Sequence, residues 1–329
     1  MKFQYENTDV CYVNAIRRII LADIPNVAIV DDMNFINNST PLHNEFMSHR
    51  ISLIPCCFSK IDIDDFDPTS YLCIINVENK TNDIKNVTTK DIQMINPQNN
   101  GKPYSRAETK IVFPPSTVSK DYILITKLKP MEILHVEFRM AKDIAKSHAK
   151  WSPVSLCAHH YMIDEDEVAK QKAELPKEKL NQFETINKWR MFKKNKYGEP
   201  NSFELNVESE CRMTGNEIVD TATKILKQSL KSVCDKMKIE AIDDKETENM
   251  YAVVIHGEDH TIGNVIQATI FNNYIRKKDK IVEYCGFFKP HPLENLIVVK
   301  IKFAKVTPNV KDFFESAMKK AIEDIPVAK

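Results

Sequence analysis

Apolar side chains recur every three or four residues over Val13, Ile16, Ile19 and Ile20, while Asn14, Arg17 and Arg18 fall on the other face. That spacing predicts an amphipathic helix. Pro25 ends it, and Val27, Ile29 and Val30 then read as a short strand. Far downstream the pattern returns. Ile262, Val265, Ile266 and Ile270 form a stripe, and Ile281, Val282 and Tyr284 resume as strand. Setting Asn14 against Asn264 also matches Ile16 with Ile266 and Ile20 with Ile270, a weak internal repeat. Two such halves can bury their helix faces against each other across a pseudo-twofold axis.

Residues 2–5 read as a first strand, and 37–41 as a loop by composition. LHNEFMSHRISL (42–53) predicts a second helix on which Leu42, Phe46, His49 and Leu53 share one face. Beside that stripe His49 reads as a packed histidine rather than a ligand. Residues 59–70 read as an acidic loop or charged edge. Strand patterns at 71–79, 87–92, 110–113, 122–128 and 131–138 make 56–140 a β-rich insertion. The segment 141–155 reads as a loop carrying Lys142, Lys146, His148 and Lys150, followed by Trp151 and Pro153. Its two readings are a solvated face and a contact loop in which Trp151 anchors a partner and adds little to folding. Residues 164–196 read as a charged surface helix plus loop.

A strand at 202–209 leads to the most regular helix, 214–234, capped by Thr214 or Asn216. A charged connector, 241–249, follows. The last unit reads as strand 251–255, a helix from a cap near Thr261, strand 281–284, a turn at GFFKPHP and strand 296–303. Its closing helix, 310–325, has Phe313, Phe314, Ala317, Met318 and Ala321 on one side. The expected fold class is α+β. Residues 1–55 with 201–240 form one unit interrupted by 56–200, and 250–329 form the other.

Lys plus Arg and Asp plus Glu are both 46, so whole-chain basicity is no argument for nucleic-acid binding. Basic stretches at 142–150 and 188–196 keep local contact open. The 8 cysteines include no C-x-x-C, so we expect reduced thiols, no disulfide framework and no metal. Glu6 and Asp9 interrupt any signal-peptide pattern, and no run of 18 apolar residues occurs, so a soluble protein working inside a cell or inside a particle assembled there, with no membrane role, is expected. Neither common phosphate-cradling glycine motif is present. HGEDH (256–260) lacks the Glu beside its first His that a zinc helix needs, because Gly257 stands there. No local constellation points to a nucleophile and base, which leaves an interaction module, with an active site of its own in the isolated chain not expected.

The segments NAIRRIILADIPNVAI (14–29) and HNEFMSHRISLIP (43–55) resemble the assembly core of alpha-type RNA polymerase subunits, namely bacterial alpha, its archaeal counterpart and the third-largest subunit of eukaryotic RNA polymerase II. Residues 127–154 resemble the return of such a subunit from its inserted domain, and FELNVES its next core strand. GEDHTIGNVI (257–266) with GFFKPHP (286–292) is similar to the small partner of those subunits, in its archaeal form or as the eleventh eukaryotic subunit. Both in one chain resemble the fused subunit of large nucleocytoplasmic DNA viruses.

The resemblance implies two alpha-type dimerisation units forming an intramolecular pseudo-dimer with no cofactor. It implies a non-catalytic platform, part of a DNA-directed RNA polymerase, that holds the two largest subunits, especially the second-largest, together with small zinc-bearing adaptors. DNA and RNA would be met only through the whole complex. Asn14, Arg17, Arg18, Glu45, His49 and Arg50 match core motifs facing partners, and Lys146, His148, Ala149, Lys150 and Trp151 match a docking loop. The expected pseudo-dimer seam comprises Ile16, Ile20, His260, Thr261, Asn264, Ile266, Ile270 and Phe313. The implied location is the virion and host cytoplasm for a viral chain, otherwise the nucleus. A nucleic-acid-binding transcription accessory protein is the alternative reading, and a free-standing enzyme the third.

Overall fold

A computed structural model describes residues 1–241, 249–277, 280–305 and 309–329, so most of the expected connector at 241–249 lies outside the described residues. In chain order come strand β1 (Lys2–Glu6), helix α1 (Val10–Ala22), strands β2 (Pro25–Ile29) and β3 (Asn34–Asn38), and helix α2 (Asn44–Ser52). The middle supplies β4 (Leu72–Glu78), β5 (Ile92–Asn96), the long β6 (Ile133–Ile144) and β7 (Val154–Tyr161). Then follow β8 (Ser202–Ser209), α3 (Gly215–Lys236), β9 (Met237–Ala241), β10 (Met250–His256), α4 (His260–Ile270), β11 (Val282–Phe288), β12 (Leu296–Phe303) and α5 (Val310–Glu323).

The chain divides into two compact units. The first comprises Met1–Ile19, Leu156–Val207 and Val219–Lys329. It holds a three-stranded sheet in the order β1-β8-β7 and a four-stranded antiparallel sheet in the order β9-β10-β12-β11. Helices α4 and α5 pack together, and α4 lies on β11 and β12. Ile262, Val265, Ile266 and Ile270 are buried, as are Phe314, Ala317, Met318 and Ala321, with Val253, Ile255, Val299 and Ile301 from the sheet. The helix starts follow from their caps. Asp259 accepts the amide of Thr261, and Asn309 accepts those of Lys311 and Asp312. Gly263 has a packing reason, because a Cβ there would stand 2.5 Å from the Phe287 ring.

The second unit comprises Ile20–Ser155 and Glu208–Ile218. Its six-stranded sheet has β6 beside β2 and β4, with β5 beyond β4 and β3 also paired to β6. Pro25 pairs with Ile144 and Ile29 with Met140 in antiparallel register, and Cys73 pairs with Phe138. The segment after α1 is therefore a strand of the insertion's own sheet. This is why the unit runs from 20 to 155 rather than over the expected 56–200. Residues 156–207 fall in the first unit because β7 and β8 share the sheet with β1.

Several local expectations need correction. Residues 110–113 are not a strand but the end of a helix, Arg106–Val112, set by a capping box in which Ser105 and Glu108 exchange bonds. Ser59 and Asp62 do the same for Lys60–Asp64, inside the stretch expected to be a charged loop or edge. β6 continues through Lys142 and Asp143 to Ile144 because β2 pairs with it, so the loop expected from 141 starts later. Gly286–Phe288 of the expected turn are strand, paired with Lys300, Val299 and Val298. On α2 the stripe assigned from the sequence faces solvent. Phe46 and Leu53 are 60% and 47% exposed, His49 is also exposed, and Met47 and Ile51 are the buried pair.

Candidate functional site

Within the first unit, α1 runs antiparallel to α4 and the turn that follows it. Asp9 accepts a hydrogen bond from Asn272 Nδ2 at 2.9 Å, and the Tyr12 hydroxyl meets Thr269 Oγ1 at 2.9 Å in a buried position. Arg18 Nε donates to Thr261 Oγ1 at 2.9 Å, and its Nη2 lies 3.7 Å from the Asp259 carboxylate. Between these polar bonds, which mark a seam between the two helices, Val13 and Ile16 on one helix and Val265, Ile266 and Ile270 on the other are buried. Its ends are fixed by directional bonds, which set register as well as attraction.

The remaining residues assigned to the seam have the following surroundings. His260, exposed at the first position of α4, makes an edge-on contact with Phe287 at 5.7 Å. Asn264 is half-buried. Phe313 packs edge-on against Phe303 at 5.0 Å and Tyr274 at 4.9 Å. Ile20 is buried but belongs to the second unit. Thr261 is not the cap of α4, since Asp259 holds that role.

Asn14 Oδ1 accepts both Nε and Nη2 of Arg17, at 3.1 and 2.9 Å, which orients the guanidinium. Burial, then the Arg17 charge, hold the His159 imidazole below its usual pKa. On α2, Glu45, His49 and Arg50 are exposed. Arg50 is nevertheless tethered, donating to the carbonyls of Ile125 at 3.1 Å and Leu124 at 3.2 Å. Phe46 makes a tilted ring contact with His43 at 4.6 Å beside them.

The return loop is bound to its own unit more tightly than a pure contact loop requires. The Lys150 side chain is only 4% exposed, pairs with Asp31 at 2.9 Å and lies over the Trp151 ring at 4.7 Å. Its hydrogen bond to Asp31 holds that carboxyl below the usual range. Trp151 Nε1 donates to the Ala141 carbonyl at 3.3 Å, and Lys142 donates to the carbonyls of Ile63 and Asp64. His148 caps the turn Ala149–Trp151 by accepting the Lys150 amide, and Lys146 reaches toward Asp23 at 3.8 Å. The geometry runs against the expectation that the loop adds little to folding. It leaves His148 and Lys146 as exposed members.

Sequence reasoning missed one cluster in the first unit. Arg276 forms a bidentate pair with Glu199, and its guanidinium lies 4.4 Å from the Tyr197 ring and 4.8 Å from that of Phe271. Asn195 holds the turn by accepting the amides of Tyr197 and Glu199. A cavity of about 800 Å³ opens beside it. The turn composition N-K-Y-G-E-P was a visible signal, but its partner 77 positions on was not.

Burial raises the pKa of all eight thiols, so none is an ionised nucleophile at neutral pH. Among the described residues no three His, Cys, Asp or Glu side chains converge on a metal position, and no helix is long and apolar enough to cross a membrane. What the arrangement offers is a bonded helix seam and oriented surface groups.

Residues 2–230 match the family described as the RNA polymerase Rpb3/Rpb11 dimerisation domain, and residues 251–328 match a second family of that description. The first match spans a long insert, and both contain helices and sheet, an α+β fold. DNA-directed RNA polymerase II subunit rpb3 of Dictyostelium discoideum is 31% identical over 170 residues, 48% of this chain and 53% of that one. The Schizosaccharomyces pombe subunit RPB3 is 29% identical over 256 residues, 69% of this chain and 80% of that one. The archaeal polymerase subunit Rpo3 of Methanosphaera stadtmanae is 27% identical over 195 residues, 55% of this chain and 62% of that one. The chain thus spans about half the length of the Dictyostelium relative and four fifths of the fission-yeast one.

Proposed function

This chain belongs to the RNA polymerase Rpb3/Rpb11 dimerisation-domain family, and we propose that it is an assembly platform of a multisubunit DNA-directed RNA polymerase. The observation that carries this reading is that both dimerisation-domain matches lie in one chain and its helices α1 and α4 are bonded antiparallel. In this reading the chain supplies internally the pairing that separate alpha-like and small subunits would make, as in a fused subunit of viral type. It holds the two largest catalytic subunits, chiefly the second-largest, and small zinc-bearing adaptors, and itself carries out no chemistry. Glu45, His49, Arg50, Lys146 and His148 are the exposed groups offered to those partners, with Phe46 and Leu53 as apolar contacts. The site of work is a viral factory and virion, or the nucleus for a cellular chain.

The nucleic-acid accessory reading gains less support. Lys188 and Lys193 of the basic segment already face Glu165 at 4.0 Å and Glu6 at 3.5 Å. Affinity capture of the tagged chain at high salt tests the proposal. Co-recovery of both large polymerase subunits is expected. Recovery of the chain without either overturns it.

A further inference from the structure

Two half-buried thiols of the second unit lie on segments that touch, although 57 and 211 are far apart in sequence. The segment following α2 and the segment preceding α3 run alongside each other. The Arg212 amide donates to the Phe58 carbonyl at 3.1 Å, and Cys57 Sγ donates to the Glu210 carbonyl at 3.5 Å. Cys211 lies between those two contact points, one peptide bond from the carbonyl that Cys57 touches. Each neighbourhood is anchored. The Cys57 amide donates to Val112, the Glu210 amide to Pro153, and Cys211 Sγ to the Pro153 carbonyl at 3.6 Å. The electrostatic influence of Cys211 on Cys57 is, after burial, the largest acting on that thiol.

We propose that Cys57 and Cys211 are a reversible oxidation site that a disulfide-class oxidant closes into one intramolecular disulfide, tying the chain after α2 to the chain before α3. With oxidised glutathione as the oxidant, the thiolate of one cysteine attacks a glutathione sulfur and releases one glutathione thiolate. The thiolate of the other then attacks the mixed disulfide and releases the second. One protein S–S bond forms, the glutathione S–S bond is lost, and the two thiol protons pass to the two glutathione thiolates. Only weak S–H···O contacts are given up by the two cysteines. Burial raises both thiols, Cys57 to about 11, so at neutral pH the exchange runs through a small thiolate fraction and closure is slow. Five other cysteines, Cys11, Cys56, Cys73, Cys157 and Cys285, are buried, and Cys234 stands among charged side chains. The inference is independent of the polymerase reading.

The test treats the full chain with oxidised glutathione, blocks remaining thiols and maps peptides without reduction. The expected result is loss of two thiols per chain and a single linked peptide pair containing Cys57 and Cys211, reversed by dithiothreitol. In Cys211→Ser, Cys57 should end as a stable glutathione adduct with no internal link. Glutathione adducts on both cysteines of the wild-type chain without a link would overturn the proposal, as would pairing of either with another cysteine, or no loss of thiols. Mapping of the wild-type chain decides this even if a variant fails to fold.

Discussion

The bond between Tyr12 and Thr269 gives the sharpest handle on the seam, because it joins residues 257 positions apart and both are almost wholly buried, at 4% and 2% exposure. Burial is the main cause raising the Tyr12 pKa, so the phenol stays protonated and neutral. Thr269→Val leaves that hydroxyl buried without its partner, which costs roughly 1–3 kcal/mol. Tyr12→Phe is milder, about 1 kcal/mol, because a helical threonine can turn its hydroxyl to the carbonyl four residues back. The double variant replaces both groups by apolar ones of similar shape, so its cost should not exceed that of Thr269→Val alone. The cycle therefore predicts a coupling of about 1 kcal/mol. Urea titrations of the four proteins, followed by far-ultraviolet circular dichroism, supply the free energies. Costs that simply add would mean that α1 and α4 are not joined at this point, and the antiparallel register would be wrong.

Ile266→Asp should prevent recovery of folded chain, since an unpaired charge at a fully buried position costs well over about 4 kcal/mol, whereas Ile266→Ala should cost about 2–5 kcal/mol in the same titrations. Proteolytic cleavage within 242–248 should leave two fragments that co-elute in gel filtration, and separate elution of stable pieces would contradict the seam. Trp151→Ala should lower the melting temperature measurably, because it removes the contact with Lys150 and the bond to Ala141. Asp31 and Glu199 are held below the usual carboxylate range by hydrogen bonds from Lys150 and Arg276. The stability they contribute should be complete above their unfolded pKa values and be lost as pH falls through the lowered folded ones. Asp31→Asn and Glu199→Gln should each flatten the acid limb of a melting-temperature profile, and an unchanged limb would remove that pair from the account.

Helices α1 and α4 were legible because each buries one aliphatic stripe, and Val13, Ile16, Ile262, Val265, Ile266 and Ile270 record that directly in their spacing. Their mutual register was not, since it is set by Asp9–Asn272, Tyr12–Thr269 and Arg18–Thr261, pairs of polar residues that carry no periodicity. The unit boundary was missed because a strand's partner is invisible locally. Nothing in 25–29 announces that it pairs with 140–144. On α2 and the residues flanking it, stripes 42/46/49/53 and 47/51/54 are comparably apolar, and tertiary packing chose the second. The loop at 145–153 showed its cations and its Trp, but the carboxylate that buries Lys150 comes from Asp31, far away in sequence.

The central claim is that one chain supplies both halves of the polymerase assembly platform. Native mass spectrometry of the affinity-purified polymerase tests it by stoichiometry. The account predicts one copy of this chain per copy of each largest subunit and no separate small subunit of the Rpb11 type. A complex containing two copies of this chain, or one copy joined by a separate small dimerisation subunit, would contradict it.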